Sequence, residues 1–265
     1  MPYMGRAALL LSQRHLLGTM VRREIGARFA GSSLGGLWTL INPAITLSLY
    51  TLVFTYIYRV QKVESGFGFT EFVFCGLWPW MAFQEACQRA VSAIVENANM
   101  VKKLQFPSEL LVFSVILSSF VIHGAGFFLF LVGLMLWKGS ISILSIALLI
   151  VPITLHIALA VGIGMMLACC NVFFRDVGQL TAAGFSIWLF LSPVMYPLSL
   201  LPETLQPILR WNPISPILAL YRSLILSHNF AVSLELGYSI VVTGIFLWAG
   251  DRVFRRCRGF FADYL

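Results

Sequence analysis

Six apolar stretches, each long enough to cross a lipid bilayer, constrain this chain of 265 residues more than any other feature of its sequence. A helix needs about 20 mainly apolar residues to cross the hydrocarbon core. Helices satisfy their own backbone polar groups, as lipid requires. We therefore predict an all-α membrane protein with six transmembrane helices, at residues 37–58, 72–96, 109–136, 142–170, 180–198 and 232–252.

The composition supports a membrane protein. Charged residues make up 11% of the chain and hydrophobic residues 59%, whereas a typical soluble domain has about 25% charged residues. The net charge is +7, but the basic residues lie at the ends of the apolar stretches and not on a polar face that would bind nucleic acid. We expect no nucleic-acid partner.

Lys and Arg are unevenly distributed among the segments that join the spans. With the N-terminus inside, the cytoplasmic segments hold twelve of these residues and the outside segments hold five. Cytoplasmic loops of membrane proteins carry the excess of basic residues. The count therefore predicts a multi-pass protein with both termini in the cytoplasm.

Residues 1–36 form a cytoplasmic lead-in to the membrane domain, which we assign to residues 37–265. Within the lead-in, residues 5–30 are predicted to form an amphipathic helix at the membrane surface. Its apolar side carries Leu16, Leu17, Met20, Val21 and Ile25, although Glu24 and Arg28 also lie towards that side. Two interpretations stay open: a membrane anchor, or an anchor that also contacts a cytoplasmic partner.

The second span contains two charged residues. Glu85 and Arg89 are four residues apart with the acid first, which favours an ion pair within one helix. Charges at membrane depth normally face a protein interior or a water-filled path. We favour a structural ion pair over a pore-lining one. His123 and His156 are isolated on apolar spans, where we expect helix–helix hydrogen bonds.

Two connections between spans carry more apolar residues than loops need. In the first, residues 99–107, two adjacent lysines are flanked by Met100, Val101, Leu104 and Phe106. This pattern indicates a short helix docked on another protein.

The second connection, about residues 199–231, is apolar and interrupted by prolines. It predicts a re-entrant hairpin that gates an exit on the outer side, with Pro193, Pro197, Pro202, Trp211 and Pro213.

Other patterns indicate packing more than chemistry. Ala160, Gly164 and Ala168 are spaced by four, which allows close helix contact in lipid. The aromatics of the first span fit an interfacial belt, or a surface on which sugar rings slide. The chain has no GxxxxGK[ST], HExxH or GxSxG motif, and its five cysteines lack CxxC spacing. We expect no enzyme, metal or cofactor site, and an energy source in another polypeptide.

Several segments, in order along the chain, resemble the ABC-2-type permeases that export lipopolysaccharide O-antigen, capsular polysaccharide and teichoic acid. Together they cover nearly the whole sequence. They are Arg22-Arg23-Glu24, Gly31 through Trp38 to Asn42-Pro43, Asn97 through Lys103 to Phe106-Pro107, Phe174 through Val177, Trp188 through Pro193 to Tyr196-Pro197, Asn212-Pro213 and Phe261-Ala262-Asp263.

The resemblance implies a homodimer in the bacterial inner membrane with two copies of an ATPase subunit, which would hold ATP and Mg²⁺. The substrate would be a lipid-linked polysaccharide, with O-antigen as first choice. Implied contacts to the ATPase are Arg22, Arg23, Val101, Lys102, Lys103, Leu104 and Phe106. Implied channel aromatics are Tyr50, Phe54, Trp78, Trp80, Trp188 and Tyr196, and the proline hairpin would be the periplasmic gate.

Two alternatives to polysaccharide export stay open at this point. An ABC-2 exporter of a drug or a single lipid would share the spans and the coupling segment, but it needs no channel as wide as a sugar. A membrane-bound enzyme of polysaccharide synthesis would need a catalytic cluster, which the sequence does not show.

Overall fold

A computed structural model describes residues 12–57, 68–103, 106–138, 142–230 and 233–265. This part of the chain is helical and contains no β-strand, as the apolar stretches predict. We number the helices α1 (Arg14–Phe29), α2 (Trp38–Leu52), α3 (Phe69–Glu96), α4 (Ala98–Lys103), α5 (Glu109–Lys138), α6 (Ile143–Leu148), α7 (Ile150–Phe173), α8 (Val177–Phe190), α9 (Gln206–Arg210), α10 (Ser215–Leu226), α11 (Leu234–Cys257) and α12 (Phe261–Tyr264).

Three helical segments in the described ranges are both long enough and apolar enough to cross a membrane. They are Gly35–Tyr56, Glu109–Leu136 and Ile143–Phe173, which agree with the predicted spans 37–58, 109–136 and 142–170. Large apolar side chains such as Leu49, Leu136 and Ile143 project outward from these helices. Such exposure is costly in water but not in lipid, so it fits a membrane protein.

Helix α3 forms the centre of the structure. It packs most extensively against α5 and α7, and it also contacts α10, α2 and α8. Most of its side chains are buried, and those of Trp80, Phe83 and Ile94 are among the most completely enclosed. A helix that is covered on nearly every side can hold polar residues inside the protein, away from lipid.

The fifth predicted span is wrong at its C-terminal boundary. We predicted residues 180–198, but α8 ends at Phe190 after 14 residues. At 1.5 Å per residue this helix is about 21 Å long, shorter than the hydrocarbon core of about 30 Å. Pro193 lacks a backbone N–H and cannot continue the helix, so the chain turns at residues 191–196.

Small residues let α7 and α11 pack with their backbones in contact. A Cβ atom added to Gly250 would lie 2.4 Å from the carbonyl oxygen of Gly162, and one added to Gly162 would lie 2.6 Å from the carbonyl carbon of Phe246. A Cβ on Gly164 would meet Ile116 of α5 at 2.9 Å. The predicted close packing of this span is therefore confirmed.

Helix α1 packs against α5 of its own chain. Met20 is buried against Leu110 and Leu111, and Leu17 lies beside it. Leu16, which we had placed on the apolar side, is exposed. Residues 5–11 of the predicted helix lie outside the described ranges. The first turn of α5 thus covers the apolar side of α1 around Met20 and Leu17, and the rest of the described part of that side is half-buried or exposed.

Ala in place of Gly162 should lower the free energy of unfolding by about 1–3 kcal/mol, because its methyl group would force α7 away from the α11 backbone. The matched control is Gly244→Ala, since a Cβ at Gly244 on α11 meets nothing within 4 Å. Thermal unfolding of the purified full-length chain measures both. Equal midpoints for the two variants would contradict the close contact.

Candidate functional site

Two ion pairs join α1 to α3 beside α5. Both oxygens of the Glu85 carboxylate accept hydrogen bonds from the Arg28 guanidinium, with 2.6 Å between Arg28 Nη2 and Glu85 Oε2. The His123 ring on α5 also contacts this carboxylate, with 2.9 Å between Nε2 and Oε2. A bidentate Arg–carboxylate pair is among the stronger hydrogen-bonded contacts in proteins.

The second pair lies one helical turn further along α3. Arg89 Nη2 donates to Glu24 Oε2 at 3.0 Å, and Arg89 Nη1 lies 3.3 Å and 3.5 Å from the hydroxyls of Ser118 and Ser119 on α5. Glu24 is only 15% exposed at its side chain, and Arg89 is 29% exposed. We call Glu24, Arg28, Glu85, Arg89 and His123 the charge cluster.

The predicted ion pair between Glu85 and Arg89 is wrong. Both residues are paired, but each takes its opposite charge from α1, about sixty residues earlier in the chain. The helical spacing of four allows the pair. Pairing with α1, however, lets both carboxylate oxygens of Glu85 face one guanidinium. It also gives the two charged residues of α1 a partner of opposite charge. The earlier misfit of Glu24 and Arg28 on the apolar side of α1 was the signal for this arrangement.

The predicted coupling segment forms a short helix, and two of its apolar residues pack partly within the chain. Val101 and Phe106 lie against Met20 of α1 and the first turn of α5. Both side chains are half-buried, so contact of this segment with a partner protein stays a prediction. Lys102 is exposed, whereas Leu104 and the side chain of Lys103 lie outside the described residues. Arg22 and Arg23 are exposed on α1, and Arg23 donates to Asn97 Oδ1 at 3.1 Å.

The C-terminal end of the chain supports α4 from a second side. Helix α12 contacts α4, and Phe261 is fully buried with its ring edge-on to Phe254. Arg258 Nη1 donates to Glu109 Oε1 at 3.0 Å, which fixes this end to the start of α5. We call α1, α4, α12 and the first turn of α5 the platform.

The turn after α8 is organised by one side chain, Asn212. Its amide Nδ2 donates to the Leu191 carbonyl at 2.9 Å and to the Ser192 hydroxyl at 3.0 Å. Its Oδ1 accepts from Trp188 Nε1 and from the Ile214 N–H, each at 3.2 Å. The bond to the Leu191 carbonyl satisfies a backbone group that the end of a helix leaves free. Together these bonds fasten the segment between α9 and α10 to the C-terminal end of α8 and the turn after it.

The predicted gate residues differ in their exposure. Pro193 is buried, Pro197 and Pro213 are half-buried, and Pro202 and Trp211 are exposed. The Trp211 ring is edge-on to Tyr238 of α11 at 5.0 Å. Most residues of α10 are buried against α3, α7 and α11. The hairpin is thus anchored by α10, while the α9 side is open to its surroundings.

Sequence reasoning missed Arg222, which fastens the hairpin to α3. Its Nη2 donates to the Val194 carbonyl at 2.7 Å and its Nε to the Phe72 carbonyl at 3.3 Å. The guanidinium lies 3.7 Å over the Phe72 ring, a favourable cation–π contact. Gly76 makes room, since a Cβ there would lie 2.3 Å from Arg222 Nη2. The available signal was one arginine inside the apolar run 217–226.

Two predicted channel aromatics lie in the protein core. Trp78 is 5% exposed and donates through Nε1 to the His123 carbonyl, and Trp80 is fully buried. A channel-lining position is therefore wrong for these two. Tyr50, Phe54, Trp188 and Tyr196 are half-buried. Trp188 stands edge-on to Trp80 and Phe83 at 5.9 Å and 5.6 Å.

The two histidines differ in their surroundings. His123 joins α5 to α3, as predicted, through its contact with Glu85. His156 is fully buried and stacks on the Phe83 ring at 4.9 Å. Neither of its ring nitrogens has a hydrogen-bond partner among the described residues, so the predicted helix–helix hydrogen bond is wrong there. In those ranges no group of three His, Cys, Asp or Glu residues is arranged to hold a metal.

Comparison with known proteins agrees with this architecture. Residues 15–226 match the family model described as ABC-2 type transporter. The chain is 30% identical over 256 residues to an O-antigen export system permease protein of Myxococcus xanthus, and 26% identical over 263 residues to one of Klebsiella pneumoniae. These alignments cover 96% and 94% of this chain and 96% and 95% of the relatives. A polysialic acid transport protein of Escherichia coli is 24% identical, with 92% and 93% covered.

Gln in place of Glu24 or of Arg89 should each cost about 1–3 kcal/mol of unfolding free energy, because the remaining charge loses its partner in a half-buried position. The double variant should cost clearly less than the sum, since neither charge is then left unpaired. The control cycle combines Glu85→Gln with Arg89→Gln. A larger coupling energy in the control cycle would contradict the pairing between helices. Thermal and denaturant unfolding of the full-length chain and its five variants provide the values for both cycles.

Proposed function

Because the chain belongs to the ABC-2 type transporter family, we propose that it is the membrane subunit of an ATP-driven exporter of a lipid-linked polysaccharide. The observation that carries this proposal is end-to-end similarity to permeases named for O-antigen export. Other relatives are named for polysialic acid transport and capsule polysaccharide export. The substrates in these names are all polysaccharides, which favours a sugar polymer over a drug or a single lipid. The higher identity to the O-antigen permeases favours O-antigen over the other polymers.

We propose six membrane crossings, with both termini in the cytoplasm. Helix α3, about 42 Å long, and α11, about 36 Å long, exceed the hydrocarbon thickness. Two of the four charged residues of α3, Glu85 and Arg89, lie in the charge cluster, and the other two lie near the ends of the helix. The charges of α11 also lie mainly near its ends. The short α8 would cross with the help of the turn after it, and α9 and α10 would form the re-entrant hairpin. The excess of Lys and Arg on one side supports this orientation.

The proposed transporter contains two copies of this chain and two copies of an ATPase subunit. Exposed apolar side chains on α2, including Ile45, Leu49 and Leu52, fit contact with lipid or with a second copy. The chain lacks a phosphate loop, so we expect ATP and Mg²⁺ to bind to the partner subunit. In this assembly the chain forms the path for the polymer and does not act as an enzyme.

The platform is the proposed contact with the ATPase. Lys102 on α4 and Arg22 on α1 are exposed on it, and positive charge steers protein association. Val101 and Phe106 belong to the same segment, where we propose that they hold α4 against α1 and α5. Closure of the ATPases would move α4 and α1 together, because Arg23 bonds to Asn97 at their junction.

The charge cluster would carry this motion into the membrane domain. Arg28 and Glu24 bind α3 at two points one turn apart, so α1 and α3 would shift together. Helix α3 contacts both α5 and α10, which connects the platform with the proposed periplasmic gate. Tyr50, Phe54, Trp188 and Tyr196 remain the proposed channel aromatics, since weak and repeated contacts suit a polymer that must keep moving.

Deletion of this chain should trap finished polymer in the cytoplasm, because synthesis continues while export stops. Fractionation of cells and immunodetection of the polymer locate it. The matched control expresses the chain with an inactive partner ATPase, and it should give the same trapped polymer. Complete absence of polymer in the deletion strain would indicate a role in synthesis, and normal surface polymer would exclude export by this chain.

Glu in place of Lys102 should lower co-purification with the partner ATPase by about fivefold, because it reverses an exposed charge on the platform. The control is Arg210→Glu, the same charge change on the side that we assign to the periplasm. Affinity purification of the tagged permease, with the ATPase ratio measured by quantitative immunoblot, makes the comparison. An unchanged ratio for Lys102→Glu, or an equal loss in the control, would contradict a coupling role for α4.

A further inference from the structure

A cavity of about 310 Å³ lies between the start of α3, the turn after α8 and α10. Its wall is largely apolar, with Phe72, Pro193, Pro197 and Leu226 among the lining residues. The polar atoms that reach it come from Arg222 and from serines of α10 and its C-terminal end. The cavity lies at the end of the molecule opposite the platform, where the proposed orientation places the outer leaflet.

Arg222 brings a positive charge to this cavity without a bonded carboxylate. Its two hydrogen bonds go to backbone carbonyls, of Val194 and Phe72, and in the described part of the chain no Asp or Glu pairs with it. A guanidinium has five N–H donors, so these bonds use two of them. A charge in apolar surroundings is costly unless an opposite charge accompanies it. The carbonyl dipoles and the Phe72 ring compensate for only part of that cost.

Ser215 independently indicates a ligand at the same cavity. Its side chain is 4% exposed and lines both this cavity and a neighbouring one that Arg210 and Glu235 also line. Its hydroxyl has no hydrogen-bond partner among the described residues. Buried hydroxyls are normally hydrogen-bonded, and each exception requires an explanation. Ser223 and Ser227 also line the cavity, although the Ser223 hydroxyl already donates to the Leu220 carbonyl at 3.1 Å. The arrangement is one guanidinium and the hydroxyls of Ser215 and Ser227 in an apolar wall.

We propose that this cavity binds the phosphate or diphosphate group of a lipid. Guanidinium and hydroxyl donors together suit the several oxygens of a phosphate group. The apolar wall and the membrane position suit a group that is attached to a lipid chain. Two lipids share this chemistry: a phospholipid of the outer leaflet, and the lipid that carries the exported polymer. The second source rests on the proposed function, whereas the first does not.

A purely structural role for Arg222 and Ser215 leads to a different expectation. If Arg222 only fastens the hairpin and Ser215 is a plain core residue, Ser215→Ala removes a hydroxyl that has no partner. That change should then leave stability unchanged or raise it, with no effect on any lipid. If the cavity binds phosphate, the same change removes a donor to the ligand and weakens binding. Ser215 therefore separates the two roles without disturbing the fold.

The test uses the full-length chain purified with its partner ATPase and titrated with dioctanoyl phosphatidic acid, with the thermal midpoint as the readout. Dioctanoylglycerol, which lacks the phosphate, is the matched lipid. We expect phosphatidic acid to raise the midpoint and dioctanoylglycerol not to raise it. Arg222→Gln and Ser215→Ala should each weaken the apparent affinity by about tenfold. Ser114→Ala is the control, since the Ser114 hydroxyl is buried but bonded to the Leu111 carbonyl, and it should bind normally.

A polyprenyl diphosphate, titrated in the same way, distinguishes the two sources. Tighter binding than phosphatidic acid supports the carrier lipid, and weaker binding supports a phospholipid.

Equal responses of wild type, Arg222→Gln and Ser215→Ala would overturn the proposal, as would equal binding of dioctanoylglycerol. Inorganic phosphate that binds as tightly as phosphatidic acid would overturn the lipid attachment. If Arg222→Gln does not fold, Ser215→Ala decides alone. Export plays no part in this readout, so a failure here leaves the proposed function standing.

Discussion

The pairing of the α3 charges with α1 is the interaction on which much of this structure depends. Glu85 and Arg89 lie on the most enclosed helix of the molecule, where an unpaired charge would be very costly. Arg28 and Glu24 supply the opposite charges from a helix that is otherwise held by apolar contacts around Met20 and by the hydrogen bond from Arg23 to Asn97. Docking of α1 therefore gives each of these two charges a partner from another helix. The two ion pairs hold α1, and with it the platform, against α3.

The sequence predicted the helical class and the apolar spans because long apolar runs leave few alternatives in lipid. It could not predict the partners of Glu85 and Arg89, since choosing between a neighbour four residues away and one sixty residues away requires the relative placement of three helices. It also misplaced Trp78 and Trp80. On a helix that is apolar on nearly every side, the sequence carries no periodic signal that would separate a core face from a channel face.

The hairpin shows how side chains replace regular secondary structure where the backbone is irregular. Asn212 and Arg222 bond to carbonyls that the end of α8 and the turn after it leave without helical partners. Prolines indicated that the helix would stop, but they did not indicate where. The residues that determine the turn lie twenty or more positions later in the chain. A local reading of the sequence therefore placed the end of the span eight residues too late.

The short length of α8 has a consequence for the energetics of transport. A sugar chain that crosses a membrane must leave bulk water, and the free-energy barrier grows with the length of low-dielectric wall beside its path. A helix of about 21 Å covers only about two thirds of a hydrocarbon core of about 30 Å. In the proposed exporter, the remaining third is lined by the hairpin, whose α9 side is exposed. The polymer would thus be rehydrated before it has passed the full thickness of the bilayer.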